Sequence, residues 1–229
     1  IHFRGYKPCA VKKLCESCDE YRPWDRKIAI VKLGALGDVL RTTPILFALR
    51  RKYPNAHITW ITKSNAKEML ETCPRINRLL YVDHPENGAI LRLMVEEFDE
   101  MHCYNKEDPA IALASLIRAK KRFGFQMNGF VQMAPINIAS QYCFDLGLSD
   151  DLKFRQNKKT YQEVTYDCSE LPVPTPMDPY DFTLKDSDRQ TAQALFEKLG
   201  RTSNNPVVGL NTGSGKVFRT KQWIEDYFI

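Results

Sequence analysis

Short apolar runs alternate with longer amphipathic stretches between residues 27 and 125. The run from Ile28 to Val31 is continuously apolar, which is typical of a strand buried on both faces. In the amphipathic stretch that follows, Pro44 is expected to kink a helix. The pattern predicts strands at 28–31, 58–62, 79–82, 98–104 and 122–125, and helices at 39–53, 65–72, 89–97 and 109–119. Such alternation predicts parallel pairing with right-handed crossovers, and therefore a doubly wound α/β domain.

The remaining parts of the chain differ in their pattern of apolar and polar residues. Residues 126–170 show no clear period, and residues 171–179 contain four prolines, which predicts a stiff linker. A helix closed by Gly200 and a buried strand at 207–211 then indicate a second α/β unit. We therefore expect a cysteine-containing arm (1–26), a Rossmann-like domain (27–170), a Pro-rich linker (171–185) and the incomplete beginning of a second Rossmann-like domain (186–229).

Charge and composition narrow the class of protein. Lys and Arg number 33 against 28 Asp and Glu, a net charge of +5 with no long run of one sign. A nucleic-acid-binding protein usually shows a basic stripe, so an anionic small ligand is favoured. The sequence has no apolar run of about 18 residues and no signal-peptide pattern, so we expect a cytoplasmic protein. Seven cysteines, an odd number, argue against a disulfide framework.

The first loop with unusual content follows the opening strand, where parallel sheets bind ligands. Gly34 and Gly37 allow a close approach of the backbone to a ligand. The spacing fits neither the dinucleotide fingerprint nor the P-loop. Asp38 lies in the first turn of the next helix, where its ionised form is favoured and could accept a proton. On the pattern alone, a simple helix cap is the favoured alternative for Asp38.

A second loop follows the strand at 207–211 and precedes a helix that begins near Trp223. Hydroxyls, backbone amides and cations at such a position suit a phosphate or pyrophosphate, and a solvated Gly/Ser loop is the alternative. The candidate residues are Thr212, Gly213, Ser214, Lys216 and Lys221.

Two stretches resemble the bacterial ADP-heptose:lipopolysaccharide heptosyltransferases of glycosyltransferase family 9. The first runs from Lys27 to Pro44 and contains Gly-Ala-Leu-Gly-Asp followed by Thr-Thr-Pro. The second comprises residues 208–213 and the Lys-Gln-Trp at 221–223. They stand in the family's order, and the resemblance covers roughly 27–228.

This resemblance implies a GT-B architecture and an inverting transfer of a sugar, heptose from ADP-heptose, to a lipopolysaccharide-type acceptor. Asp38 would be the general base, and the second loop would hold the donor's diphosphate, with no metal needed for catalysis. Gly34, Gly37 and Lys63 would lie on the acceptor side, within residues 27–170. The expected partners are a nucleotide-sugar donor, a lipid-linked saccharide and, transiently, the inner membrane surface, but no nucleic acid. Family members continue well beyond this second loop, so the chain is expected to be a fragment without activity by itself.

The cysteines suggest a separate feature in the arm. Cys9, Cys15 and Cys18 have the spacing C-x5-C-x2-C, which favours a structural zinc ion, with unliganded thiols as the alternative. Cys73, Cys103, Cys143 and Cys168 are interpreted as ordinary small apolar residues. A second hypothesis for the function of the whole protein is that it is a non-catalytic nucleotide-sugar-binding or scaffold protein with a metal-binding arm.

Overall fold

A computed structural model of the chain describes residues 11–20, 24–84, 88–200, 208–210 and 227, without the side chain of residue 15. It divides into two compact units, Ile1–Thr183 and Leu184–Ile229. None of the helices in the described part of the chain has the length and apolar character needed to cross a bilayer.

The first unit is built on a six-stranded sheet. Its strands are β1 (Lys27–Val31), β2 (His57–Thr62), β3 (Arg78–Tyr81), β4 (Glu97–Cys103), β5 (Arg118–Met127) and β6 (Met133–Pro135). The strand order is β3-β2-β1-β4-β5-β6, and β6 alone runs antiparallel to its neighbour. The direction of winding reverses between β1 and β4. The predicted doubly wound sheet is therefore confirmed.

Helices cover both faces of this sheet. They are α1 (Leu36–Thr42), α2 (Ile45–Lys52), α3 (Lys67–Leu70), α4 (Ala89–Val95), α5 (Asp108–Leu116), α6 (Ile138–Leu148) and α7 (Tyr161–Cys168). Along β1, Ile28 and Ile30 pack in one apolar cluster with α2 and α7, while Ala29 and Val31 pack in the other with α4 and α5. Because successive side chains of a strand point to opposite faces, a strand covered twice must be apolar throughout.

The predicted kinked helix at 39–53 is instead two helices, α1 and α2. Thr43 closes the first and Pro44 caps the start of the second. Pro44 has no amide hydrogen to bond the carbonyl of Leu40; the amide and hydroxyl of Thr43 bond it instead. The proline therefore ends one helix and begins another.

Residues 126–170 form a β-hairpin, α6, a π-helix (Leu152–Gln156) and α7. Gly124, in β5, has φ +88°, and a Cβ there would lie 1.9 Å from the carbonyl oxygen of Cys103. Helix α7 begins with a capping box, in which the Thr160 hydroxyl accepts from the Glu163 amide and the Glu163 carboxylate accepts from the Thr160 amide. The Thr-x-x-Glu spacing of these two residues is a signal for the start of a helix, but the sequence-based predictions did not include it.

The Pro-rich segment predicted as a linker is packed along the first unit as far as residue 183. Both carboxylate oxygens of Asp178 accept from Arg51, at 2.8 and 2.6 Å, and one also accepts from the Tyr166 hydroxyl. Burial raises the pKa of Asp178, but these hydrogen bonds more than reverse that effect and leave the pKa below its usual range. Farther along, buried Asp181 accepts from Arg75 at 2.9 Å. These contacts hold the segment against the first unit.

The second unit is described mainly by α8 (Asp186–Lys198). Gly200 has φ +65° and follows the end of this helix, as predicted for a C-terminal cap. The strand predicted at 207–211 is not formed at residues 208–210, where Val208 and Leu210 are exposed. A strand needs a hydrogen-bonded neighbour, and the described residues of this unit provide none.

Candidate functional site

A cavity of about 460 Å³ opens beyond the carboxyl ends of β1 and β4. These are the two strands between which the winding reverses, the usual ligand-binding position of such sheets. The loop after β1 contributes Lys32, and the loop after β4 contributes residues 104–107. The amide of Leu33 donates to the side-chain carbonyl of Asn105 at 2.7 Å, which joins the two loops. Helices α1, α6 and α7 complete the wall.

Asp38 lies in the first turn of α1 and lines this cavity. The N-cap residue of the helix is Ala35, and no side chain makes a capping hydrogen bond there. The interpretation of Asp38 as a simple cap is therefore not supported by the structure. Its side chain is 43% exposed, and one carboxylate oxygen lies 3.4 Å from the guanidinium of Arg41. The carboxylate is thus accessible to a ligand in the cavity.

Helix α7 fixes the position of Arg41. The guanidinium of Arg41 lies over the ring of Tyr161, 4.1 Å from its centroid. The Thr42 hydroxyl donates its hydrogen to the backbone carbonyl of Asp38 at 2.7 Å. The Tyr161 hydroxyl lies 3.0 Å from the Thr42 oxygen and must therefore donate to that oxygen. Through these contacts α7 holds the first turns of α1 and the cation beside Asp38.

Positive charge predominates around the cavity. Two carboxylates and five cations of the described residues line it; the cations are Lys32, Arg41, Lys106, Lys153 and Lys159. Lys32 is only 4% exposed and makes no ion pair with any residue in the described ranges. Partial burial raises the pKa of Glu107, but hydrogen bonds from Asn105 and the backbone, with Lys32 nearby, bring it below its usual range. The cavity can therefore accept an anionic group.

The other predicted acceptor-side residues lie at the edge of this site. Gly34 belongs to the loop between β1 and α1 and Gly37 to the first turn of α1, and a Cβ at either position would meet nothing within 4 Å. Neither glycine is therefore required by packing. Lys63 follows β2 and is exposed, but it does not line the cavity.

The remaining predicted residues cannot be placed in the same way. The donor-loop residues Thr212, Gly213, Ser214, Lys216 and Lys221 lie outside the described residues, as do Cys9 and the side chain of Cys15. Cys18 is half-buried. Within the described part of the chain, no three His, Cys, Asp or Glu side chains are grouped so as to hold a metal ion.

The sequence-based predictions missed two cationic residues at strand ends and two residues from the helices α6 and α7. Lys32 directly follows β1, and Lys106 lies in the loop three residues after the end of β4. The rule that ligands bind beyond the carboxyl ends of parallel strands, which identified Asp38, could therefore also have identified these two lysines. Cys143, interpreted as an ordinary apolar residue, lines the cavity. Tyr161 lies in a region with no readable period, and its contact with Arg41 had no signal in the sequence.

Comparisons with known proteins bear on this site. No model of a known protein family matches the chain. It is 23% identical over 200 residues to Lipopolysaccharide heptosyltransferase 1 of Campylobacter coli, which covers 83% of this chain and 55% of the relative. It is also 23% identical over 196 residues to Lipooligosaccharide heptosyltransferase 2 of Haemophilus ducreyi, covering 82% and 54%. The chain resembles the heptosyltransferases. It spans about half the length of these curated relatives.

A solved structure supports the fold. The crystal structure of the glycosyl transferase family 9 from Veillonella parvula superposes with a TM-score of 0.66 at 20% identity, over 91% of this chain and 59% of that one. The predicted GT-B-like fold is confirmed by this similarity.

Proposed function

We propose that the whole protein is a metal-independent inverting glycosyltransferase that transfers heptose from ADP-heptose to a lipopolysaccharide-type acceptor. The observation that carries this proposal is the accessible carboxylate of Asp38 in a cationic cavity at the switch point of the sheet. The similarity to proteins named heptosyltransferases supports the choice of sugar and acceptor class.

In the proposed reaction, Asp38 takes the proton from an acceptor hydroxyl. The oxygen of that hydroxyl attacks the anomeric carbon of the donor sugar while the bond from that carbon to the diphosphate breaks. A general base acts at hydrogen-bond distance from the proton it removes, so the carboxylate must remain exposed to the cavity. Arg41, held by Tyr161, keeps the carboxylate in this position.

We assign the donor's diphosphate to Thr212, Gly213, Ser214, Lys216 and Lys221. This assignment rests on the sequence motif and on the chemistry of the residues. Hydroxyl and amide donors hold phosphate oxygens, and the Lys221 ammonium offsets the charge that develops on the departing nucleotide. These groups supply the stabilisation that a metal ion provides in other transferases.

The acceptor is proposed to carry a carboxylate or phosphate that enters the cavity. The Lys32 ammonium lies at the cavity wall near Glu107 but forms no direct ion pair within the described ranges, and a buried charge is stabilised by a counter-ion. Exposed Lys63 is proposed to meet a more distant part of the same acceptor.

A lipid-linked acceptor places the protein at the inner membrane surface. Leu148 and Phe154 support such a peripheral contact, because they are 72% and 71% exposed and adjoin the cavity residues Gly147 and Lys153, respectively. Apolar side chains flanked by cations favour an anionic lipid surface.

The test of the proposed function is transfer by the whole protein. A panel of nucleotide sugars is first screened for binding by calorimetry, and the product of the best donor is examined by NMR for the configuration at the anomeric carbon. We expect ADP-heptose to bind and the configuration to be inverted. Donor binding without transfer to any lipopolysaccharide-type acceptor would instead favour a non-catalytic binding protein.

We further propose that Cys9, Cys15 and Cys18 hold a structural zinc ion. Cys15 begins a 3-10 turn, Cys15–Ser17, and Cys18 follows it directly, so two of the three positions lie on one tight turn. Thiolates are common ligands of structural zinc. Elemental analysis of the purified protein is expected to find one zinc per chain, and less in a Cys18→Ser variant. A metal-free protein that keeps its full stability would contradict this assignment.

A further inference from the structure

Two cysteines that the proposed transfer does not use meet between helices α6 and α7. Cys143 is half-buried on α6 and lines the cavity. Cys168 is the last residue of α7 and is only 2% exposed. The Cys168 thiol donates to the backbone carbonyl of Ala139 at 3.9 Å, one helical turn before Cys143 on α6, and both cysteines pack in the same apolar cluster, although they are 25 positions apart in the sequence.

The surroundings of the two thiols differ. The Lys106 ammonium donates to the backbone carbonyl of Cys143, which brings a positive charge close to the thiol. The neighbouring Cys168 thiol, together with this cation, outweighs burial and lowers the pKa of Cys143 to about 7. The Cys143 side chain and burial raise the pKa of Cys168. The more acidic thiol is therefore the one that lines the cavity, and the less acidic thiol is buried behind it.

The other described cysteines of the domain lack these features. Burial raises the pKa of Cys73 and of Cys103 to about 12 in each case. The Cys73 thiol also donates to the carbonyl of Asp181 at 2.7 Å. Because the thiolate is the reactive form of cysteine, neither residue is expected to react at neutral pH.

We propose that Cys143 and Cys168 form a peroxide-reactive dithiol, in which Cys143 is oxidised first and Cys168 resolves it to a disulfide. Reactive, accessible cysteines placed next to a resolving cysteine are the usual arrangement of redox-sensitive sites. This inference goes beyond the proposed sugar transfer and does not depend on it.

The reaction balances with hydrogen peroxide as the oxidant. The Cys143 thiolate attacks one peroxide oxygen, the O–O bond breaks, and the departing hydroxide takes up a proton as water, leaving a sulfenic acid. The Cys168 sulfur then attacks the Cys143 sulfur, the S–O bond breaks, and hydroxide leaves with the Cys168 proton as a second water. Two thiols thus lose two electrons and two protons, and one peroxide becomes two waters.

The disulfide would change the cavity. It would join α6 to the end of α7, two helices that form its wall, and it would remove a thiolate from beside Lys106. Oxidation of these two cysteines is therefore expected to change the shape and the charge of the cavity that contains Asp38.

The experiment is peptide mapping after treatment of the 229-residue chain with hydrogen peroxide. Trypsin places Cys143 in peptide 123–153 and Cys168 in peptide 160–185, each with a single cysteine. We expect these two peptides to become linked, lighter together by two hydrogen atoms, and to separate again with dithiothreitol. Cys73 and Cys103 should be oxidised at least about tenfold more slowly, since their thiolate fraction is far smaller.

Variants separate the two roles. Cys168→Ser is expected to stop at the sulfenic acid of Cys143, which dimedone traps, whereas Cys143→Ser should leave Cys168 reduced. Cys73→Ser is the matched control and should behave as the unaltered chain. Absence of the linked peptide, or equal oxidation of Cys168 in the Cys143→Ser variant, would overturn the proposal. The readout is a mass, so it is independent of whether the protein transfers a sugar.

Discussion

The substitution Asp38→Asn separates catalysis from folding, because the two effects expected from the structure differ greatly in size. The Asp38 side chain is 43% exposed, makes no capping hydrogen bond and pairs with Arg41 only at 3.4 Å. Exposed pairs of this kind contribute about 0–1 kcal/mol, so the free energy of unfolding should change by less than about 1 kcal/mol. Loss of a general base, in contrast, lowers the rate by about 10²–10⁴-fold, or roughly 3–5 kcal/mol in activation free energy.

The assay compares kcat for transfer, donor affinity and urea unfolding in the whole protein. The exchange of a carboxylate for an amide keeps the size of the side chain, so donor affinity should stay within about twofold while kcat falls. Asp108→Asn is the matched control, because Asp108 is also an acid in the first turn of a helix after a strand, yet it does not line the cavity. A kcat for Asp38→Asn within about threefold of the unaltered enzyme would refute the assignment of the base. An equal loss in the control would show that helix charge, and not proton transfer, is responsible.

The centre of the sheet was predictable because β1 and β2 are buried on both faces. A strand of this kind is largely apolar, and the helix that follows it has a single apolar face. The short edge strand β6 has no such pattern and was not predicted. Helix α6 lacks such a pattern, since Ile138 at its start is 93% exposed, Leu148 at its end is 72% exposed, and Ser140 is fully buried. Residue type therefore gave no guide to its buried face. Tertiary contacts, and not local pattern, decide the structure of this region.

The site was predictable only where it coincides with strand ends. Asp38 was identifiable because it opens the helix after β1, and the same position rule applies to Lys32. The contact between Arg41 and Tyr161 joins residues 120 positions apart, and nothing in either local sequence indicates the other. A cavity wall assembled from α6 and α7 could therefore be found only in three dimensions.

Three further predictions test the site and the fold. Lys32→Met should weaken binding of inorganic phosphate, measured by calorimetry, by about tenfold or more, since hydrogen bonds to charged groups contribute roughly 1.5–3 kcal/mol. The control Lys63→Met lies outside the cavity and should change the affinity for phosphate by less than about twofold. Equal losses of affinity in the two variants would contradict the assignment of Lys32 to anion binding. Gly124→Ala should lower the free energy of unfolding by about 2–5 kcal/mol, because φ is +88° and the new Cβ would meet a backbone oxygen. In the control Gly37→Ala the new Cβ meets nothing within 4 Å, so the free energy of unfolding should fall by less than about 1 kcal/mol. The pKa of Asp178 is below its usual value of 3.8 in the folded chain, so the folded state holds fewer protons there than the unfolded state as the pH falls. Its stabilising contribution is thus complete above about pH 5 and is lost as the pH falls through 3.8 towards the lower folded pKa. Urea unfolding of Asp178→Asn should therefore show a weaker loss of stability below pH 5 than the unaltered chain, and parallel curves would show that this carboxylate does not contribute to the acid sensitivity of the fold.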